Sequence, residues 1–89
     1  MIDMEIDRHK LRDELIRIFS AYAKDPTNAE MKKAAKRLHQ EHGDSHRKVD
    51  RNMSLALRLL PNIGWEVLEP KPTKEDATEL VFALAARKA

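Results

Sequence analysis

Apolar side chains recur at helical spacing along the first quarter of the chain. Their positions, three and four residues apart, define one face of a helix: Met4, Leu11, Leu15, Ile18 and Tyr22, with Ile16, Phe19 and Ala23 widening it. Asp25 precedes Pro26, and the residue before a proline is disfavoured in helical backbone. We therefore predict a first helix from about Met4 that stops at Asp25.

A second helix is predicted over residues 29–42. Thr27 followed three residues later by Glu30 is a capping-box pattern, in which each side chain bonds the other residue's backbone N–H. The buried stripe then comprises Met31, Ala34, Ala35 and Leu38. Gly43 follows, and a glycine in left-handed backbone commonly ends a helix.

The stretch GDSHRKVDRNMSLALRLL, residues 43–60, combines a turn, a basic head and an apolar tail. Ser45 is a suitable N-cap, so we predict a third helix over residues 45–60. Its buried stripe comprises Val49, Met53, Ala56, Leu57 and Leu60. Pro61, Asn62 and Gly64 are expected to end it.

The last quarter of the chain allows two interpretations. GWEVLE, residues 64–69, alternates in the manner of a short extended segment. Residues 73–88 have acidic side chains near their start and Arg87 and Lys88 at their end, which complements a helix dipole. Leu80, Phe82 and Leu84 also alternate, as in a strand that pairs back onto GWEVLE. We predict the helix, with a β-wing as the alternative.

Together these segments predict a single domain over residues 1–89. Its class is mainly α: three to four helices with a helix-turn-helix-like core. The chain contains no cysteine, so it offers neither a disulfide nor a thiolate metal site. The longest apolar run, LVFALAA, is far shorter than a membrane span, and MIDMEIDRHK lacks the pattern of a secretory signal. We predict a cytoplasmic protein that does not insert into membranes.

Positive charge is concentrated in the middle of the chain. The net charge is only +2, but residues 27–64 hold eight basic and four acidic side chains, while both flanking segments are slightly acidic. Such asymmetry is evidence about partners, and a basic segment favours polyanions. The second and third predicted helices are therefore candidates for a DNA-binding pair.

In a helix-turn-helix, the first turns of the second helix read the major groove. Here these turns would present Ser45 and His46 together with four side chains that suit base edges: Arg47, Lys48, Arg51 and Asn52. Phosphate contacts would come from His46 and from the preceding helix: Lys32, Lys33, Lys36 and Arg37. The pattern predicts binding to double-stranded DNA.

SHRKVDRNMSLALRLL, preceded by AAKRL, resembles the helix-turn-helix of sigma-factor region 4 and of response-regulator domains. The resemblance covers residues 34–60 and implies a transcription regulator, in this case a small prokaryotic or phage protein. Residues 39–44 add about one helical turn that the family pattern lacks. GWEVLEPKPTKEDATELVFAL is similar to the wing of winged-helix regulators of the multiple-antibiotic-resistance type, without the arginines that usually follow its aspartate.

Two other functions are compatible with the same residues. The basic middle segment would also suit a small adaptor or inhibitor that docks onto an acidic protein surface. Three histidines close in sequence, His39, His42 and His46, would suit a metal-responsive regulator that binds zinc, nickel or copper. We predict no catalysis and no cofactor, because the chain has neither a glycine-rich phosphate loop nor a nucleophile paired with a base.

The run LVFALAA and Trp65 bear on assembly. A helix that is apolar almost all round must be buried in a core or against a partner. In so short a chain we predict that this surface forms a homodimer.

Overall fold

The computed structural model describes residues 7–65 and 70–87. Across these residues it contains a short 3-10 turn, Gly43–Ser45, and four α-helices: α1 (Arg8–Lys24), α2 (Ala29–His42), α3 (Arg51–Gly64) and α4 (Lys74–Ala86). No strand occurs in either described range. The prediction of a small, mainly helical domain is confirmed.

The helices pack as two pairs around one apolar core. α1 packs chiefly against α4, and α2 chiefly against α3, with smaller contacts between the pairs. The predicted stripes supply most of the buried side chains: Leu11, Leu15, Ile18, Tyr22, Met31, Ala35, Leu38, Met53, Ala56, Leu57 and Leu60. No helix in the described part of the chain has the length and apolar character needed to cross a bilayer.

The turn between α1 and α2 differs from its prediction by one residue. α1 ends before Asp25, which is extended, as expected of the residue before Pro26. The Asp25 carboxylate accepts hydrogen bonds from both the N–H and the hydroxyl of Thr27, which holds Thr27 in the turn. Asn28 therefore caps α2 by accepting from the Met31 N–H at 2.9 Å, and the predicted Thr27 capping box is wrong.

The connection between α2 and α3 is longer than predicted. Gly43 has φ −56° and ψ −31°, so it continues a right-handed turn where we predicted left-handed backbone. Ser45 lies in the 3-10 turn and does not cap α3. α3 begins at Arg51 because Asp50 accepts a hydrogen bond from the Met53 N–H at 3.0 Å. The predicted start at residue 45 is wrong.

α3 also extends past its predicted end. Pro61 lies inside the helix, and the Trp65 N–H donates to the Pro61 carbonyl at 3.0 Å, closing the last turn. Gly64 permits this extension against α2. A Cβ at this position would lie 3.1 Å from the Lys36 backbone nitrogen, closer than ordinary contact.

The C-terminal segment is a helix, so the predicted helix is confirmed and the β-wing alternative is wrong. Thr73 and Asp76 form a reciprocal capping box, with bonds of 3.0 and 3.1 Å. Ala77, Leu80 and Leu84 are buried, but Phe82 is 71 % exposed. The helix core therefore buries one face of LVFALAA and leaves Phe82 on the surface of the single chain. Most of the predicted extended segment, residues 66–69, lies outside the described residues, as does Met4.

Candidate nucleic-acid interface

The connection Gly43–Asp50 presents the basic head on an irregular loop. The Lys48 N–H donates to the Ser45 carbonyl at 2.9 Å, which continues the turn beyond the 3-10 segment. The guanidinium Nε of Arg8, at the start of α1, donates to the Lys48 carbonyl at 3.0 Å. This hydrogen bond places the loop beside the N-terminus of α1. Arg8 therefore lies next to Lys48, one of the nucleic-acid-binding residues predicted from the sequence.

A nearly buried arginine holds the end of the loop in place. Arg12 is 8 % exposed and forms an ion pair with Asp50, the N-cap of α3. The ion pair is formed by Nη2 of Arg12, while Nη1 donates to the Leu84 carbonyl in α4 at 3.3 Å. Arg12 thus contacts the residue before α3 and the last turn of α4. The start of α3 and the end of α4 therefore lie at the same end of the molecule.

The Asp50 carboxyl is ionised in this setting. Burial opposes its charge and raises its pKa. The hydrogen bonds from the Met53 N–H and from Arg12, with the positive charge of Arg87, outweigh that effect and hold the pKa below its usual value. Arg87 follows the last turn of α4. Its backbone N–H donates to the Leu84 carbonyl, which also accepts from Arg12, so Arg87 belongs to the same end of the molecule.

Five cationic side chains therefore meet at this end, and we call them the basic cluster: Arg8, Arg47, Lys48, Arg51 and Arg87. All five are exposed. They come from the start of α1, the loop, the start of α3 and the end of α4. Asp7, the N-cap of α1, borders the cluster, and Asp50 is paired with Arg12. The cluster therefore offers a positively charged surface to a polyanion.

The structure divides the ten predicted nucleic-acid residues into two groups. Ser45 and His46 lie in or next to the 3-10 turn, and Arg47 and Lys48 lie in the loop, so none of these four is in a helix as predicted. Arg51 and Asn52 do lie in the first turn of α3. Arg51 is exposed, whereas Asn52 is half-buried and lines a groove between α3 and α4.

The α2 residues form the second group: Lys32, Lys33, Lys36 and Arg37. Lys36 packs near Gly64, at the far end of α3 from the basic cluster. α3 has 14 residues, which corresponds to about 20 Å. Lys36 Nζ also lies 5.5 Å from the centre of the Trp65 ring, a cation–π distance. The predicted DNA surface is therefore not continuous across both groups.

The three histidines do not converge. The ring of His39 packs edge-on against Trp65, with centroids 5.3 Å apart. His42 Nε2 lies 3.9 Å from Glu41, and His46 Nδ1 lies 3.4 Å from the Gly43 carbonyl oxygen. In residues 7–65 and 70–87, no three histidine or carboxylate side chains are arranged to hold a metal ion. The geometry gives the metal-responsive interpretation no support.

Sequence reasoning missed Arg8, Arg12 and Arg87. Each was assigned to a different segment from the basic head, and no local pattern connects them to it. The only available signal was their position near helix ends, which does not say which ends meet.

Comparison with protein-family models, curated proteins and solved structures finds no match.

The lowered pKa of Asp50 predicts how stability depends on pH. A carboxyl with a lower pKa folded than unfolded contributes stability that is fully present above its unfolded pKa, about 3.9, and is lost as the pH falls further. Asp50→Asn keeps a good N-cap but removes the charge. We expect wild type to exceed Asp50→Asn in free energy of unfolding at pH 7, and the difference to shrink below about pH 4. Urea titrations at several pH values measure this, and a constant difference would contradict it.

Proposed function

We propose that this protein binds double-stranded DNA through the basic cluster, as a small regulator of the prokaryotic or phage kind. The observation that carries the proposal is the convergence of five exposed cations from four parts of the fold, with Asp50 neutralised by Arg12. Cations that converge on one surface neutralise neighbouring phosphates and release condensed counterions, which supplies most of the affinity of many DNA-binding proteins.

The arrangement favours phosphate contacts over extensive base reading. Arg47 and Lys48 lie on the loop, where they would position the protein on the DNA backbone. Arg51, in the first turn of α3, is the cluster residue best placed to reach a base edge, where an arginine suits guanine. Eight residues join α2 to α3, whereas a helix-turn-helix has three or four. The pair therefore shares the order of two helices with a helix-turn-helix but not its short turn.

We further propose that the protein acts as a homodimer. Two basic clusters on one duplex would double the number of phosphates neutralised, and closed two-fold assembly is the commonest form of soluble oligomer. The exposed Phe82 supports the dimer, since a large apolar side chain on the surface of a small chain suits burial by a partner.

Fluorescence anisotropy of a labelled duplex about three helical turns long tests DNA binding. We expect binding at low salt that weakens steeply as salt rises. Arg47→Ala/Lys48→Ala/Arg51→Ala should lower the slope of log K against log salt by about three, one for each phosphate contact removed. The control removes the same charge from α2: Lys32→Ala/Lys33→Ala/Arg37→Ala.

The control variant should bind nearly as well as wild type, because α2 presents its cations at the other end of α3. Equal losses in the two triple variants would show that charge alone matters, and not the cluster. Absence of duplex binding by wild type at low salt would overturn the proposal. In that case, binding of an acidic protein ligand by wild type that the Arg47→Ala/Lys48→Ala/Arg51→Ala variant loses would favour the adaptor interpretation.

A further inference from the structure

A groove between α3 and α4 is lined largely by apolar side chains. Its volume is about 520 Å³, and its walls include Leu55 and Leu59 from α3 and Ala83 from α4. Leu55 is 48 % exposed, and Phe82, next to Ala83 on α4, is 71 % exposed. Leu55 therefore lines the groove, and Phe82 projects from the helix that forms the opposite wall.

Charged side chains flank these apolar groups with opposite signs on the two helices. At 100° per residue, Arg51 and Arg58 share the outward face of α3 with Leu55. On α4, Glu75 and Glu79 share the outward face with Phe82. All four charged side chains are exposed, and Arg58, Glu75 and Glu79 make no ion pair within residues 7–65 and 70–87. α3 thus presents a basic apolar face and α4 an acidic apolar face.

The two helices run in opposite directions. Arg12 contacts Asp50 at the start of α3 and Leu84 near the end of α4, so these two helix ends are adjacent. Measured from that end, Arg58 lies about 12 Å along α3 and Glu75 about 13 Å along α4. The two unpaired charges are therefore at the same level of the groove.

We propose that a second copy of this chain covers the groove through a two-fold axis parallel to α3 and α4. Such an axis places α3 of each protomer over α4 of its partner at the same level. Phe82 then packs against Leu55 on the rim of the partner's groove, and Arg58 faces the partner's Glu75. The same patch serves both protomers, as an isologous interface requires. The inference specifies the homodimer of the proposed function and does not depend on DNA binding.

Sedimentation of Phe82→Glu tests the apolar contact. The side chain is largely exposed in the single chain, so the substitution should leave the fold intact, which circular dichroism checks. We expect its dimer dissociation constant to rise at least about tenfold, as for loss of a central aromatic anchor. Ser20→Glu, on the exposed face of α1, adds the same charge elsewhere and should dimerise like wild type. Equal dissociation constants for the two variants would overturn the proposal.

A charge exchange tests the partner's identity and orientation. Arg58→Glu alone places two carboxylates together across the interface, and Glu75→Arg alone places two guanidinium groups together, so each variant should be largely monomeric. An equimolar mixture pairs each reversed charge with its opposite and should sediment as a dimer. A mixture that stays monomeric, or wild type that is monomeric up to hundreds of micromolar, would overturn the proposal.

The mass and anisotropy measurements separate the two proposals. Arg47 and Lys48 lie in the loop before α3, away from the proposed interface. Loss of duplex binding in Arg47→Ala/Lys48→Ala with an unchanged dissociation constant for the dimer would leave the interface standing. A monomeric wild type that still binds duplex DNA would remove the interface and leave DNA binding standing. Neither result can be mistaken for the other.

Discussion

Replacing Arg12 with alanine should lower the free energy of unfolding by about 3 kcal/mol, because breaking a largely buried ion pair leaves the other charge uncompensated. Asp50 would keep its carboxylate in a partly buried site, and the Leu84 carbonyl would lose its Arg12 donor. The cost exceeds that of a surface ion pair, since water replaces the guanidinium only poorly here. Urea denaturation followed by circular dichroism measures the change.

Two further variants make the Arg12 result specific. Arg17→Ala removes an exposed arginine from the same helix and should change stability by no more than about 0.5 kcal/mol. Adding Asp50→Asn to Arg12→Ala should recover part of the loss, because the unpaired charge is then removed. If Arg12→Ala and Arg17→Ala cost the same, the connection from α1 to the ends of α3 and α4 is not what stabilises this fold.

Neutralising Arg8 and Arg87 should weaken duplex binding at low salt by at least about tenfold, although neither belongs to the basic head in the sequence. Arg8→Gln/Arg87→Gln removes two of the five cations in the cluster while retaining side chains of similar length. If each contacts one phosphate, the slope of log K against log salt should fall by about two. Anisotropy titrations at several salt concentrations measure both quantities.

The matched control for this pair is Arg17→Gln/Lys24→Gln. It removes the same charge from exposed positions farther along α1, and Lys24 lies about 24 Å along the helix from Arg8. We expect nearly wild-type binding from the control. Equal binding by the two double variants would show that the loop and α3 bind DNA without help from α1 and α4.

Periodicity in the sequence was sufficient to predict the helices and most of the core. The stripe from Leu11 to Tyr22 and the alanine-rich C-terminal segment each specify a helix through neighbours three and four residues apart. Capping was less predictable, because several residues near each turn are able to cap. Thr27 and Asn28 compete at α2, and the Asp25 carboxylate decides between them by binding Thr27.

The site was only partly predictable for a related reason. Arg47, Lys48 and Arg51 are consecutive or nearly so, and their charge is visible in the sequence. Whether they lie on a helix or a loop depends on where α3 begins. Asp50 caps that start, and its partner Arg12 is far away along the chain. The α2 lysines were grouped with the basic head because of their charge. The packing of α3 on α2 separates Lys36 from that head, because Lys36 lies beside Gly64 at the far end of α3.

The sequence by itself determined that this chain forms amphipathic helices, which faces of them are apolar, and that its middle third is basic. Those properties depend on local spacing and composition. Only the tertiary structure decided that Asp50 caps α3, that Arg8 and Arg87 join the basic cluster, and that Phe82 stays exposed. These outcomes depend on which helix ends meet, and that is set by how four apolar faces pack into one core at the lowest free energy.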